Sequence, residues 1–179
     1  MITRELERRH LASDVLFAER KPMVGQLILK AIDPSRSLLT QQDIHRATIT
    51  ALPEQIELGN LDAVYALYGL SLTRSEERLD FWLETLNQGV GSIDLTDQED
   101  LRIRDDETPW VGDRTELQNL WRRQLENQAI SLLLADRSKE ETYQALIRRY
   151  KSQKNRIEQT RPDDIFAGVI NAYASAYDP

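Results

Sequence analysis

Apolar residues return at spacings of three and four most regularly between Leu61 and Gln88. There Leu61, Val64, Leu67 and Tyr68 are followed by Leu72, Leu79, Trp82, Leu83 and Leu86. A period near 3.6 predicts an amphipathic helix. No Gly or Pro lies between Leu70 and Asn87, so the pattern predicts one long helix, with the polar interval Thr73 to Arg78 as the one place it could divide. Gly89 supplies a left-handed stop.

Upstream, Arg4 to Arg20 reads as a charged helix with Leu6, Leu11, Val15 and Phe17 as its apolar contribution. Pro22 suits the first turn of a second helix running to Ile32. Met23, Leu27 and Leu29 are its expected core contacts, and Asp33 to Ser37 forms a turn. Thr40 with Asp43 makes a capping box, with Leu39 and Ile44 as the hydrophobic staple. Pro53 is expected to interrupt or kink that helix. Gly59 ends the run, and Asn60 is placed to cap the long helix.

Downstream, Asp113 and Glu116 repeat the capping signature before Leu117, Leu120, Trp121, Leu125, Ile130 and Leu133. Ser138 and Glu141 open a helix carrying Tyr143, Leu146, Ile147, Tyr150 and Ile157. A last helix after Pro162 carries Ile165, Phe166, Val169, Ile170, Tyr173 and Tyr177, a pattern dense enough to imply burial against neighbours. Residues 89–112 differ in kind. Ile93 to Thr96 suggests a short strand or extended segment, and Asp97, Glu99, Asp100, Asp105, Asp106 and Glu107 make the rest acidic. The expectation is therefore all-α: a multi-helix bundle of about seven helices in a single domain, residues 1–179, with one irregular acidic loop insertion. Trp82, Trp110, Trp121, Tyr150 and Phe166 are the expected structural anchors. Trp110 in particular should pin the acidic loop to the helices, because exposing an indole forfeits about 1.5–3 kcal/mol of burial.

A length of 179 residues allows one sizeable core or two small ones. A net charge of -7 opposes non-specific nucleic-acid binding. Against that trend, Arg148, Arg149, Lys151, Lys154, Arg156 and Arg161 cluster in one stretch. They read as a solvated helix face or as a docking patch for an acidic partner, with Arg148, Arg149 and Lys151 as the partner-binding residues. The absence of cysteine removes disulfides, thiol nucleophiles and Cys-based metal sites. No apolar run approaches membrane-spanning length, and the first residues lack the apolar region of a secretory signal. Either the protein stays in the cytoplasm or the sequence begins after a signal has been removed.

Chemistry is hard to find. His10 and His45 are far apart and outside any zinc spacing. Gly89-Val90-Gly91 is too short for a phosphate cradle and lacks a Walker lysine. The acidic stretch from Asp94 to Glu107 lacks the alternating ligands and central Gly of a calcium loop. Asp105 and Asp106 are adjacent carboxylates with nothing to enforce their separation or desolvation. No serine stands in a nucleophile elbow. No cofactor, metal or catalytic residue is assigned, and the residues alone point to a structural or protein-binding domain.

An ordered series of short stretches adds to this reading. It runs Ala31-Ile32-Asp33-Pro34-Ser35-Arg36, Leu39 and Asp43-Ile44; Leu58-Gly59-Asn60-Leu61-Asp62 with Tyr65, Leu67 and Tyr68; then Arg74, Glu77 and Arg78. Pro109-Trp110, Glu116-Leu117, Leu120-Trp121 and Arg148-Arg149-Tyr150 follow, and Asp163-Asp164-Ile165-Phe166 leads through Ala172 and Tyr173 to Tyr177-Asp178-Pro179. From about Ala31 onward the chain resembles the amino-terminal helical region of bacterial tail-specific (carboxy-terminal processing) proteases, peptidase family S41. That resemblance implies a parent exported to the periplasm, where a PDZ domain selects apolar carboxy-termini and a serine–lysine pair hydrolyses the chain. It also implies that both parts lie beyond Pro179, so no serine here takes the nucleophile role. Further partners implied are protein substrates and a helical-repeat adaptor lipoprotein. The competing reading is a free-standing helical interaction domain without protease activity, which an open reading frame continuing past Pro179 into a PDZ-like segment would exclude.

Overall fold

The computed structural model describes residues 14–47, 49–94, 108–160 and 162–177. Seven α-helices and one 3-10 turn make up the described regular structure, with no strand among the described residues. They are α1 (Asp14–Ile32), α2 (Gln41–Arg46), the 3-10 turn Ile49–Ala51, α3 (Leu52–Glu57), α4 (Asp62–Asn87), α5 (Arg114–Leu133), α6 (Lys139–Ile157) and α7 (Pro162–Tyr177). The fold is an all-α multi-helix bundle.

Among the described residues, the boundary expected between Arg20 and Pro22 is absent. The described helix Asp14–Ile32 continues through Pro22 rather than starting there. An internal proline costs a helix about 3 kcal/mol through its missing donor. The buried face that follows, Val24, Ile28, Leu29 and Ile32, offsets that cost by packing against α7, α3 and the 3-10 turn. Of the expected core contacts, Leu29 is buried and Leu27 packs partly buried against the core, whereas Met23 is 53% exposed and Val24 takes its place. Leu6 and Leu11 lie outside the described residues.

Thr40 and Asp43 form the reciprocal box at the start of α2. The helix then ends at Arg46, and Pro53 sits in the first turn of α3 instead of kinking a longer helix. Gly59 closes α3 with φ +79, a conformation that costs glycine nothing. Asn60 accepts the backbone N–H of Asp62 at 3.0 Å, while Leu61 occupies the cap position. α4 is unbroken for 26 residues, about 39 Å at 1.5 Å per residue. Thr73 to Arg78 stays helical because Arg74 reaches Glu77 within the helix and Asp43 across to α2.

Asp113 caps α5 by accepting from Glu116 N, but the Glu116 carboxylate bonds Gly112 N at 2.7 Å and not the cap residue. Ser138 and Glu141 make a full box on α6. The Ser138 backbone N–H and hydroxyl donate to the Glu141 carboxylate and hold its pKa below the ordinary value of 4.5. Ile93 and Asp94 are not in a strand; Leu95, Thr96 and the acidic residues Asp97 to Glu107 lie outside the described residues. The Tyr143 hydroxyl oxygen accepts from Gly91 N and Ile93 N, folding the turn after α4 onto α6.

Two apolar clusters result. The first joins α1, α3, the amino-terminal half of α4 and α7, with Leu39 and Leu52 at its centre. The second joins the carboxy-terminal half of α4 to α5 and α6 through Leu79, Trp82, Leu117, Trp121, Leu125 and Tyr150. Helix α4 contributes to both.

Candidate functional site

Between the two clusters lies a polar seam, and it is assembled largely from the residues of the short motifs. Asp33, at the end of α1, is fully buried. Its Oδ1 accepts Ser37 N at 2.8 Å, and its Oδ2 accepts Leu38 N and Leu39 N at 3.0 Å each. Trp110 donates its Nε1–H to the same Oδ2 at 3.1 Å. Arg36 lies between, with its guanidinium carbon 4.2 Å from the Trp110 ring centroid and a bond to the Thr108 carbonyl. Its φ of 48 is a left-handed conformation that a non-glycine residue keeps only when its surroundings enforce it. Gln41 N bonds Val111 O, and Gln41 Nε2 bonds Trp110 O, both at 2.8 Å. Trp110 thus holds the segment before α5 to the first cluster, although it is only partly buried.

The seam continues through the tryptophans. Trp121 donates to Ser37 O at 2.7 Å, and Trp82 donates to Trp121 O at 2.8 Å. Arg78 donates to Ser37 Oγ at 3.0 Å and lies 5.0 Å from the Trp82 centroid. Burial lowers the Arg78 pKa, an effect that Asp33 opposes. Arg114 pairs with Glu77 at 2.7 Å and lies over Trp121. Each indole N–H has an acceptor, as burial requires. Arginine–aromatic stacking adds about 0.5–2 kcal/mol per contact.

Of the other expected anchors, Tyr150 is fully buried with its ring 4.8 Å from Trp82. Phe166 is different: it is 40% exposed on α7. That helix presents Ile165, Val169 and Ala172 inward, and Phe166 is displaced from that stripe by one residue, about 100° of turn.

The expected docking residues occupy the outer side of α6. Thr142, Tyr143, Leu146 and Tyr150 face the second cluster, which leaves Arg148, Arg149 and Lys151 exposed. Arg149 reaches Gln128 on α5 at 3.4 Å. Lys154 is drawn aside by Asp80 of α4, whose hydrogen bond raises its pKa, and Arg156 folds back onto Ser152. Arg161 lies outside the described residues. Arg148 also borders a shallow depression of about 420 Å³ with Arg137, Glu140, Glu141 and Gln144. The face is therefore mixed in charge at one end and basic toward Lys151.

Several serine hydroxyls serve local structure. Ser71 and Ser131 donate to carbonyls one turn back, Ser138 caps α6, and Ser35 and Ser37 bond each other. No group of three or more His, Asp or Glu able to hold a metal occurs among the described residues, and no described helix is long and apolar enough to cross a membrane.

Sequence reasoning passed over a second concavity of about 580 Å³ between α2, α3 and α4. Its floor is Ala63, Ala66, Leu67 and Leu70, and Arg46 and Arg74 stand at its edge. The spacing was readable, since 63, 66/67, 70 and 74 form a helical stripe, but small residues on the stripe carry little hydrophobic signal.

Comparison with known proteins fits these motifs. Residues 2–179 match the family described as the tail specific protease N-terminal domain. A tail-specific protease of Haemophilus influenzae is 27% identical over 180 residues, covering 99% of this chain and 26% of that protein. The chain thus spans about a quarter of the length of this relative. A match over nearly the whole chain shows that this chain belongs to the tail-specific protease N-terminal domain family.

Proposed function

We propose that the chain is the non-catalytic scaffold and interaction module of a periplasmic carboxy-terminal processing serine endopeptidase. The parent cleaves with a serine nucleophile and a lysine base after a PDZ domain has engaged an apolar carboxy-terminus. This module positions those parts and helps to engage substrate or a helical-repeat adaptor lipoprotein. One observation supports the reading best: the Asp33 carboxylate and the Trp110 and Trp121 indole N–H groups of the motifs are occupied in joining helices, while α6 turns Arg148, Arg149 and Lys151 outward. Groups saturated in this way stiffen a frame and are not available for proton transfer, which needs a base with a free lone pair in reach of substrate.

The test is an incubation of the purified chain with an unfolded protein that ends in apolar residues. The substrate is expected to stay intact, while the parent protein cleaves it. Hydrolysis by this chain alone, abolished by substituting one of its serines, overturns the reading. For the α6 face, reversing Arg148, Arg149 and Lys151 to Glu in the parent is expected to weaken adaptor capture without altering cleavage of a short peptide. Unchanged capture removes that face from the proposal.

A further inference from the structure

We propose that α4 is a hinge between two lobes and that the polar seam is the latch that holds them in one orientation. α1, α2, α3 and α7 gather on the amino-terminal half of α4, around the first cluster, whereas α5 and α6 pack on its carboxy-terminal half and on each other. Among the described residues, none from 71 to 78 belongs to either apolar cluster, so this stretch of α4 spans the boundary. Its chemistry suits bending. Gly69 has open space where a Cβ would stand, the Ser71 hydroxyl donates to Tyr68 O at 2.8 Å, and the Thr73 hydroxyl donates to Gly69 O at 3.1 Å. Helices bend where glycine and hydroxyls bonded back to the preceding turn weaken the backbone ladder. A bend of about 20° carries the end of α4, about 21 Å beyond Thr73, through about 7 Å.

Hydrogen bonds cross the boundary at Ser37 and beside it. Trp121 donates to Ser37 O, Arg78 donates to Ser37 Oγ, and Gln41 N donates to Val111 O. The Asp33 carboxylate holds the N–H groups of Ser37, Leu38 and Leu39, so Ser37 is a fixed peg on the first lobe. Bodies joined by a small polar interface move relative to each other, because water replaces a parted hydrogen bond at small net cost. Each lobe keeps its own apolar cluster through the motion, which is therefore not unfolding. The second lobe carries Arg148, Arg149 and Lys151 on α6, and the first carries α7. Opening turns that basic face relative to α7. In the parent, the motion orients a partner held on α6 relative to the PDZ and catalytic parts; this use rests on the proposed function, whereas the hinge itself does not.

The chain has no cysteine, so nitroxide labels can be placed by single substitutions. Gln144→Cys on α6 with Ala167→Cys on α7 reads the distance across the boundary, and Gln144→Cys with Asn127→Cys on α5 reads a distance within the second lobe; all three positions are exposed. Pulsed electron–electron distance measurement on the full 179-residue chain is expected to give one narrow distribution for each pair. Trp121→Phe removes the donor to Ser37 O, and Ser37→Ala removes the acceptor for Arg78. Each is expected to broaden or shift the cross-boundary distance by several ångströms, with the distance inside the lobe and the helical circular dichroism unchanged. Gly69→Ala, which stiffens the hinge, is expected to narrow the distribution again in the Trp121→Phe chain. Ser37→Ala deletes a single oxygen, so it remains decisive if Trp121→Phe disturbs its own lobe. A broad cross-boundary distribution in the wild-type chain overturns the latch. Unchanged distances in the folded latch variants, equal broadening of both pairs in Ser37→Ala, or a broadening that Gly69→Ala leaves as it was overturn the proposal too. None of these outcomes bears on the cleavage test or on adaptor capture.

Discussion

At Asp33 one buried carboxylate meets four N–H donors, three from the following turn and one from an indole 77 residues away. Hydrogen bonds to a charged group contribute about 1.5–3 kcal/mol each, and donors left buried without an acceptor cost more. Asp33→Ala is therefore expected to destabilise the chain by about 3 kcal/mol or more, read as a lowered urea midpoint. Asp33→Asn should cost less, because its carbonyl oxygen still accepts. Tyr150 shows the opposite case. Its ring is fully buried and its hydroxyl has no hydrogen-bond partner. Burial raises the phenol pKa well above the ordinary 10.0, while Arg149 and Arg78 oppose the shift. The linkage follows: stability is whole below the unfolded pKa and is lost as pH rises toward the folded value, because only the unfolded phenol ionises there. Tyr150→Phe should be within about 1 kcal/mol of wild type at neutral pH and should show a shallower fall in urea midpoint above pH 10 or so.

For the helices, backbone approach matters as much as hydrophobic content. Gly25 is buried in the middle of α1, and a Cβ there would lie 2.9 Å from both Ile49 Cγ2 and Ile49 O. Helix propensity favours Ala over Gly by about 1 kcal/mol. Overpacking against the 3-10 turn, one of whose contacts is backbone, costs about 1–3 kcal/mol. Gly25→Ala is expected to lower the melting temperature. Gly69 on α4 has open space around it, so Gly69→Ala should raise the melting temperature by a few degrees. The same replacement is thus expected to change sign between two helices. Only the packed structure names the neighbour that a side chain at position 25 would meet.

Across the molecule, α4 carries residues of both apolar clusters, and the Trp121–Ser37 bond ties the second cluster to the segment that carries Leu39 of the first. Leu39→Ala in the first cluster and Leu125→Ala in the second should each cost about 2–5 kcal/mol. Because one helix runs through both, each is expected to shift a single transition seen alike by far-ultraviolet dichroism and tryptophan fluorescence. Two separated transitions would show that the clusters unfold independently.

Helix number, the long α4, and the caps at Thr40, Asp113 and Ser138 were legible in the chain, because capping and period act within a few residues. The family, too, was legible in the ordered motifs. Other features depend on distant neighbours. Pro22 is carried inside α1 because burial downstream outweighs a lost hydrogen bond, and Phe166 faces out because the inward stripe of α7 leaves it aside. The groove beside α4 required three helices to meet. Local sequence determines which segments coil and where they stop. Tertiary packing decides which face is covered, since burial is a property of pairs of elements that no single element contains.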